Sequence, residues 1–130
     1  MSELKFLHKE QVIEIQRRNI EEFGGIQGLR DESAFESALM AAKNRAYYEG
    51  AGLAVCAATY AFHLSQAPAF LDGNKRIAAA TSEIFIELNG GHLTASNEEI
   101  VNLFLAIAAG EKTRDDVEAI FAEWLVMPTP

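Results

Sequence analysis

Apolar residues recur at helical spacing along almost the whole chain, and glycines or capping residues cut them into segments. Lys9 to Phe23 sets Val12, Ile13, Ile15, Ile20 and Phe23 against the polar Arg17, Arg18, Glu21 and Glu22, and Gly24-Gly25 stops it. Ser33 and Glu36 have capping-box spacing, so a second helix is expected to begin at Asp31 to Ser33, with Phe35, Ala38, Leu39 and Ala42 inward. Asn44 to Gly52 reads as a loop. Gly52 to Gln66 is apolar nearly all round, the mark of a central helix. Asn74 to Asn89 predicts a second near-central helix, closed by Asn89-Gly90-Gly91. His92 to Thr94 is a short extended link. Ser96 with Glu99 opens a fifth helix through Ile100, Leu103, Phe104 and Ile107, and Thr113 caps a sixth carrying Val117, Ile120, Phe121, Trp124 and Leu125.

Helix follows helix, with glycine turns between and no run of alternating strands. The pattern predicts an all-α bundle of about six helices, one domain over residues 1–130. At its centre the Gly52–Gln66 helix is expected to pack on the Asn74–Asn89 helix, burying Leu53, Val55, Phe62, Ile84 and Phe85. A hydrophobic content of 49% suits a packed core rather than disorder. The net charge of −8 argues against direct nucleic-acid binding, which needs a basic surface. Cys56 is the only cysteine, so no disulfide framework or cysteine zinc site is expected, in keeping with a cytoplasmic location. No run is apolar and long enough to predict a membrane span, and the charged first residues do not read as a signal peptide.

Between the two central helices lies Pro68-Ala69-Phe70-Leu71-Asp72-Gly73-Asn74-Lys75-Arg76. A helix starting at Asn74 has unsatisfied amides at its positive dipole end, and Lys75 and Arg76 add two charges there. That builds an anion site suited to a phosphate chain. Asp72 would repel a bare anion, and a divalent cation between carboxylate and phosphates reconciles the two. The plainer alternative is a charged helix start with Asp72 as cap and both cations solvated.

The same residues resemble the signature of the Fic/Doc family, His-x-Phe-x-(Asp/Glu)-Gly-Asn-x-Arg. Phe70, Asp72, Gly73, Asn74 and Arg76 match it, whereas the family's catalytic histidine falls on Pro68. The resemblance extends to Phe23-Gly24-Gly25, Gly28 to Asp31, Glu36 to Leu39 and Phe85 to Gly90. It implies that Asp72 holds Mg²⁺, that Gly73, Asn74, Lys75 and Arg76 hold ATP phosphates, and that Phe70 anchors the loop. Lys75, with Ala79 where AMP-transferring members have a second arginine, is similar to the Doc (death-on-curing) pattern. This implies a toxin kinase that phosphorylates a translation elongation factor and is restrained by a small antitoxin protein. An internal inhibitory helix is not expected, because Glu99 follows Thr94–Glu98 where glycine or asparagine is required.

Proline has neither a titratable group nor an N–H, so Pro68 cannot serve as a base and the chain is expected to be inactive as written. The competing reading is a binding module that holds nucleotide or antitoxin without turnover; a third is an AMP-transferring relative. His63, five residues earlier on the apolar helix, is expected to be a core histidine rather than a substitute base. Tyr47, Tyr48 and Glu49 stand where the family places a flap that aligns the target.

Overall fold

A computed structural model describes residues 4–66 and 69–128. Pro68, on which the catalytic expectation turns, lies outside the described residues, as does Pro130 in the tail. The described residues form six helices: α1 Lys9–Phe23, α2 Glu32–Glu49, α3 Leu53–Gln66, α4 Asn74–Leu88, α5 Asn97–Ala108 and α6 Arg114–Trp124. Two-residue strands, β1 His92–Leu93 and β2 Leu125–Val126, pair antiparallel as His92 with Val126 and Leu93 with Leu125. Among the described residues no helix is long and apolar enough to cross a membrane.

Helix α3 is the hub. It packs most extensively on α4, then on α2 and α6, with further contacts to α5. Its polarity explains this: six successive positions, Cys56 to Ala61, are all buried, which only a helix with neighbours all round achieves. The small residues Ala57, Ala58 and Ala61 let those neighbours approach closely. Aromatics fill the remaining space. Phe85 is fully buried, with Tyr60 edge-on at 4.9 Å and Phe6 stacked at 5.5 Å. The lead-in before α1 is pinned by Asn89, whose side-chain Oδ1 accepts from Lys5 N and whose Nδ2 donates to Lys5 O.

The capping box at α5 and the Thr113 cap of α6 are present as the sequence indicates. Ser96 Oγ accepts from Glu99 N and Thr113 Oγ1 from Asp116 N, each at 3.1 Å. Four other expectations are corrected. The cap of α2 is Asp31, whose Oδ1 accepts from Ala34 N, while Glu36 turns to Lys9, which also pairs with Glu32. The presumed loop from Asn44 is helix up to Glu49. Nothing there breaks a helix until Gly50, left-handed at φ +64°, and Arg45 ties this turn to Glu118 on α6 at 2.8 Å and to Glu49 at 3.2 Å. Ile84 is 38% exposed because it sits at the edge of α4's buried face, and Leu53, Val55 and Phe62 are only half-buried. Leu125 leaves α6 for β2, where its partner Leu93 gives the extended link a ladder.

Candidate functional site

The connection between α3 and α4 is stitched to the connection between α1 and α2. Arg30 N and Asp31 N both donate to Ala69 O, at 2.7 and 3.1 Å, and Leu71 N donates to Gly28 O. Leu29 and Phe70 form an isolated antiparallel bridge. Phe70 is buried and meets Phe35 edge-on at 5.1 Å. The Asn74 side chain closes the loop on itself, with Oδ1 accepting from Phe70 N at 3.0 Å and Nδ2 donating to Phe70 O at 2.9 Å. That carboxamide therefore shapes the loop first and has only its second N–H left for a ligand.

Gly73 adopts φ +77°, a left-handed conformation that glycine reaches without penalty, and it is the N-cap of α4. It supplies no capping side chain. Ile77 N is the first amide of the helix to reach a backbone carbonyl, that of Gly73. The amides of Asn74, Lys75 and Arg76 have no partner among the described residues and mark the positive end of the helix dipole. They border a concavity of about 360 Å³ lined by Leu71 to Arg76 and by Ala108 of α5. Lys75 is exposed. Arg76 lies with its guanidinium 5.1 Å from the Phe23 ring centre and donates to Gly24 O at 3.5 Å. A larger concavity, about 680 Å³, lies between the Leu4–Lys9 segment and α2; the start of α1 at His8 and Lys9 borders it, but none of residues 69–76 lines it.

Asp72 is not the cap of α4. Its Oδ2 accepts from Ile26 N at 2.9 Å, while Oδ1 has no partner among the described residues. Three residues support Asp72 or its neighbour Arg76 in roles that the sequence did not indicate. Gly25, at φ +119°, passes so close that a Cβ there would lie 3.2 Å from the Asp72 carboxylate. Gln16 is a buried carboxamide facing Ile26, Gly28 and Asp72. Phe23 supports Arg76. Signals for them existed: Gln16 is polar in register with Val12 and Ile20 on the inner face of α1, and Gly24, Gly25 and Gly28 are more glycines than stopping a helix requires.

A divalent cation fits this site only with help. No group of three or more His, Cys, Asp or Glu able to hold a metal occurs among the described residues. Asp72 Oδ1 could take one coordination position, leaving the rest to phosphate oxygens and water, an arrangement that Mg²⁺ commonly adopts.

The remaining sequence candidates do not line the loop concavity. Tyr47 and Tyr48 stand edge to face on the last turn of α2, 81% and 77% exposed, where Glu49 pairs with Arg45. Burial pushes the Cys56 thiol up to about 11, which leaves it inert. His63 is half-buried, and burial first, then the charges of Arg114 and Arg45, hold it below its ordinary value of 6.5. Between that lowered value and 6.5 the fold keeps the imidazole neutral while the unfolded chain takes up a proton. Its contribution to stability is therefore complete above pH 6.5 and declines as pH falls towards the lowered folded value. Urea unfolding between about pH 7.5 and pH 5 should show this decline, and His63→Gln should flatten it.

The Fic/DOC family model matches residues 6–86, which is most of the chain and contains the whole loop with both connections that frame it. The chain belongs to the Fic/DOC family. A relative within the family is "Protein kinase doc" of Escherichia phage P1, 29% identical over 109 residues, which cover 83% of this chain and 86% of that protein. The six-helix architecture agrees with the fold of the family.

Proposed function

We propose that this chain holds the phosphates of ATP at residues 72–76, as a Doc-type kinase toxin whose own catalysis is lost at Pro68. The observation that carries the reading is the uncapped start of α4, opening with Lys75 into the concavity beside Asp72. In a Fic/DOC relative of a protein kinase, that start is the part of the chain best built for a phosphate chain.

In this reading the amides of Asn74 to Arg76 donate to phosphate oxygens and Lys75 balances their charge. Arg76 leaves or bends from the Phe23 ring to do the same. Asp72 offers Oδ1 to Mg²⁺, which supplies charge neutralisation between carboxylate and phosphates. Phosphoryl transfer asks mainly for positioning and charge, and these residues provide both. Transfer to a hydroxyl of a translation elongation factor forms a bond from the γ-phosphorus to that oxygen and breaks the bond to the β-phosphate. The hydroxyl proton needs an acceptor, which Pro68 does not offer. Ala79, in the place of a second arginine, favours the kinase over AMP transfer.

The partner in this reading is a small antitoxin. Ile15, Ala80 and the exposed Ile84 line a groove of about 530 Å³ between α1 and α4 together with the polar Glu10, Gln11, Glu14, Arg18 and Asn19, which suits an amphipathic partner helix. Coexpression with the neighbouring gene product should give a complex that Ile84→Glu disrupts. Failure to copurify, together with harmless expression of a Pro68→His chain, removes the toxin–antitoxin reading and leaves the nucleotide-holding binding module. The nucleotide assignment is tested by calorimetry of ATP–Mg²⁺ on the parent and on Lys75→Ala/Arg76→Ala.

A further inference from the structure

We propose that Gln16 is a positioning residue of the nucleotide site, a clasp in α1 that sets the Asp72 carboxylate by tying the α1–α2 connection to the loop. The proposal rests on the nucleotide reading above and adds a part that the signature does not contain.

Gln16 is 1% exposed, and buried carboxamides are costly unless bonded. Its Nε2 faces two carbonyls, Ile26 O at 3.4 Å and Asp72 O at 3.5 Å, and its Oε1 faces Gly28 N at 3.4 Å. One side chain thus spans both segments, and every contact is at the long limit of a hydrogen bond. The residue it holds at Ile26 is also the one whose N–H takes Asp72 Oδ2. Around this node Leu71 N bonds Gly28 O, and the Gly25 backbone passes directly beside the Asp72 carboxylate. Displacing the connection therefore displaces the carboxylate. A slack clasp of this kind tightens when the loop is loaded, as long contacts around catalytic groups do in complexes. A methionine or leucine in this place would pack equally well in an apolar core, so the carboxamide is there for what it bonds.

The consequence is specific. Gln16 acts on the Asp72 arm of the site and leaves the Lys75 and Arg76 arm alone. The test is calorimetric titration of ATP and of inorganic tripolyphosphate, each with Mg²⁺ and with a chelator, on the parent, Gln16→Met and Gln16→Glu. Methionine keeps the volume and removes all three contacts. Glutamate keeps the acceptor for Gly28 N and sets a carboxylate against two carbonyls. The expected result is that the Mg²⁺ enhancement of ATP affinity falls about tenfold in both variants, whereas metal-free affinity stays within about twofold. A purely structural role lowers both affinities together, and that outcome overturns the proposal, as does an unchanged Mg²⁺ enhancement. A parent that binds neither ATP nor tripolyphosphate defeats the nucleotide reading itself. If neither variant folds, hydrogen exchange on the parent decides: Gly28 N–H should exchange more slowly with Mg²⁺–ATP than with ATP alone, and equal rates overturn the clasp.

Discussion

Pro68→His is expected to raise phosphotransfer from labelled ATP to an elongation-factor acceptor by about 10²-fold or more. General-base assistance is typically worth about 10²–10⁴-fold, and the base also aligns the acceptor hydroxyl. Among the described residues no histidine lines the loop concavity, and Asp72 is its one carboxylate, which the proposed site commits to Mg²⁺. Asp72 gives one oxygen to Ile26 N. His63 is half-buried with Arg45 and Arg114 as its charged neighbours, and neither of these lines the loop concavity. In a growing host the Pro68→His variant should arrest growth unless an antitoxin is coexpressed. Equal transfer by the parent and this variant would remove Pro68 from the account.

Lys75→Ala with Arg76→Ala is expected to abolish measurable ATP–Mg²⁺ binding. Charge-assisted hydrogen bonds are worth about 1.5–3 kcal/mol each, so the pair removes about 3–6 kcal/mol, or about 10²–10⁴ in affinity. Stability should hardly change, since both side chains are exposed and surface substitutions usually stay within about 0.5 kcal/mol. Arg76 loses a stack on Phe23, a small term at an exposed site. Pro68→His, by contrast, should leave binding nearly unchanged, because the proposed phosphate contacts come from Gly73 to Arg76. Undiminished binding in the double variant would make residues 72–76 an ordinary charged helix start.

Most of the helices were legible from local signals: apolar periodicity in α3 and α4, the capping side chains Ser96 and Thr113 at α5 and α6, and Gly24 at the end of α1. The misread stretch, Asn44 to Glu49, shows where local signals fail. Its helix is held by Arg45 reaching Glu118, a contact 73 residues distant in sequence. Ile84 shows the same limit for burial, since its exposure depends on how α1 crosses α4. In the loop, the free amides and Gly73 followed from the position of the helix start. The task of the Asn74 side chain did not, because its partners are backbone groups of Phe70 that become neighbours only when the loop closes. Gln16 and Gly25 were hidden for a related reason: their partner Asp72 lies 56 and 47 residues away in sequence, across two helices.

The central claim is that phosphates sit on the start of α4, and amide NMR reads that directly. Titrating ATP–Mg²⁺ into ¹⁵N-labelled parent protein should give the largest shifts at the amides of Gly73, Asn74, Lys75, Arg76 and Ile77, with smaller ones at Ile26 and Gly28. The contrary result is a set of shifts centred on the larger concavity, at Lys5, Lys9 and Lys43, with the α4 amides unmoved.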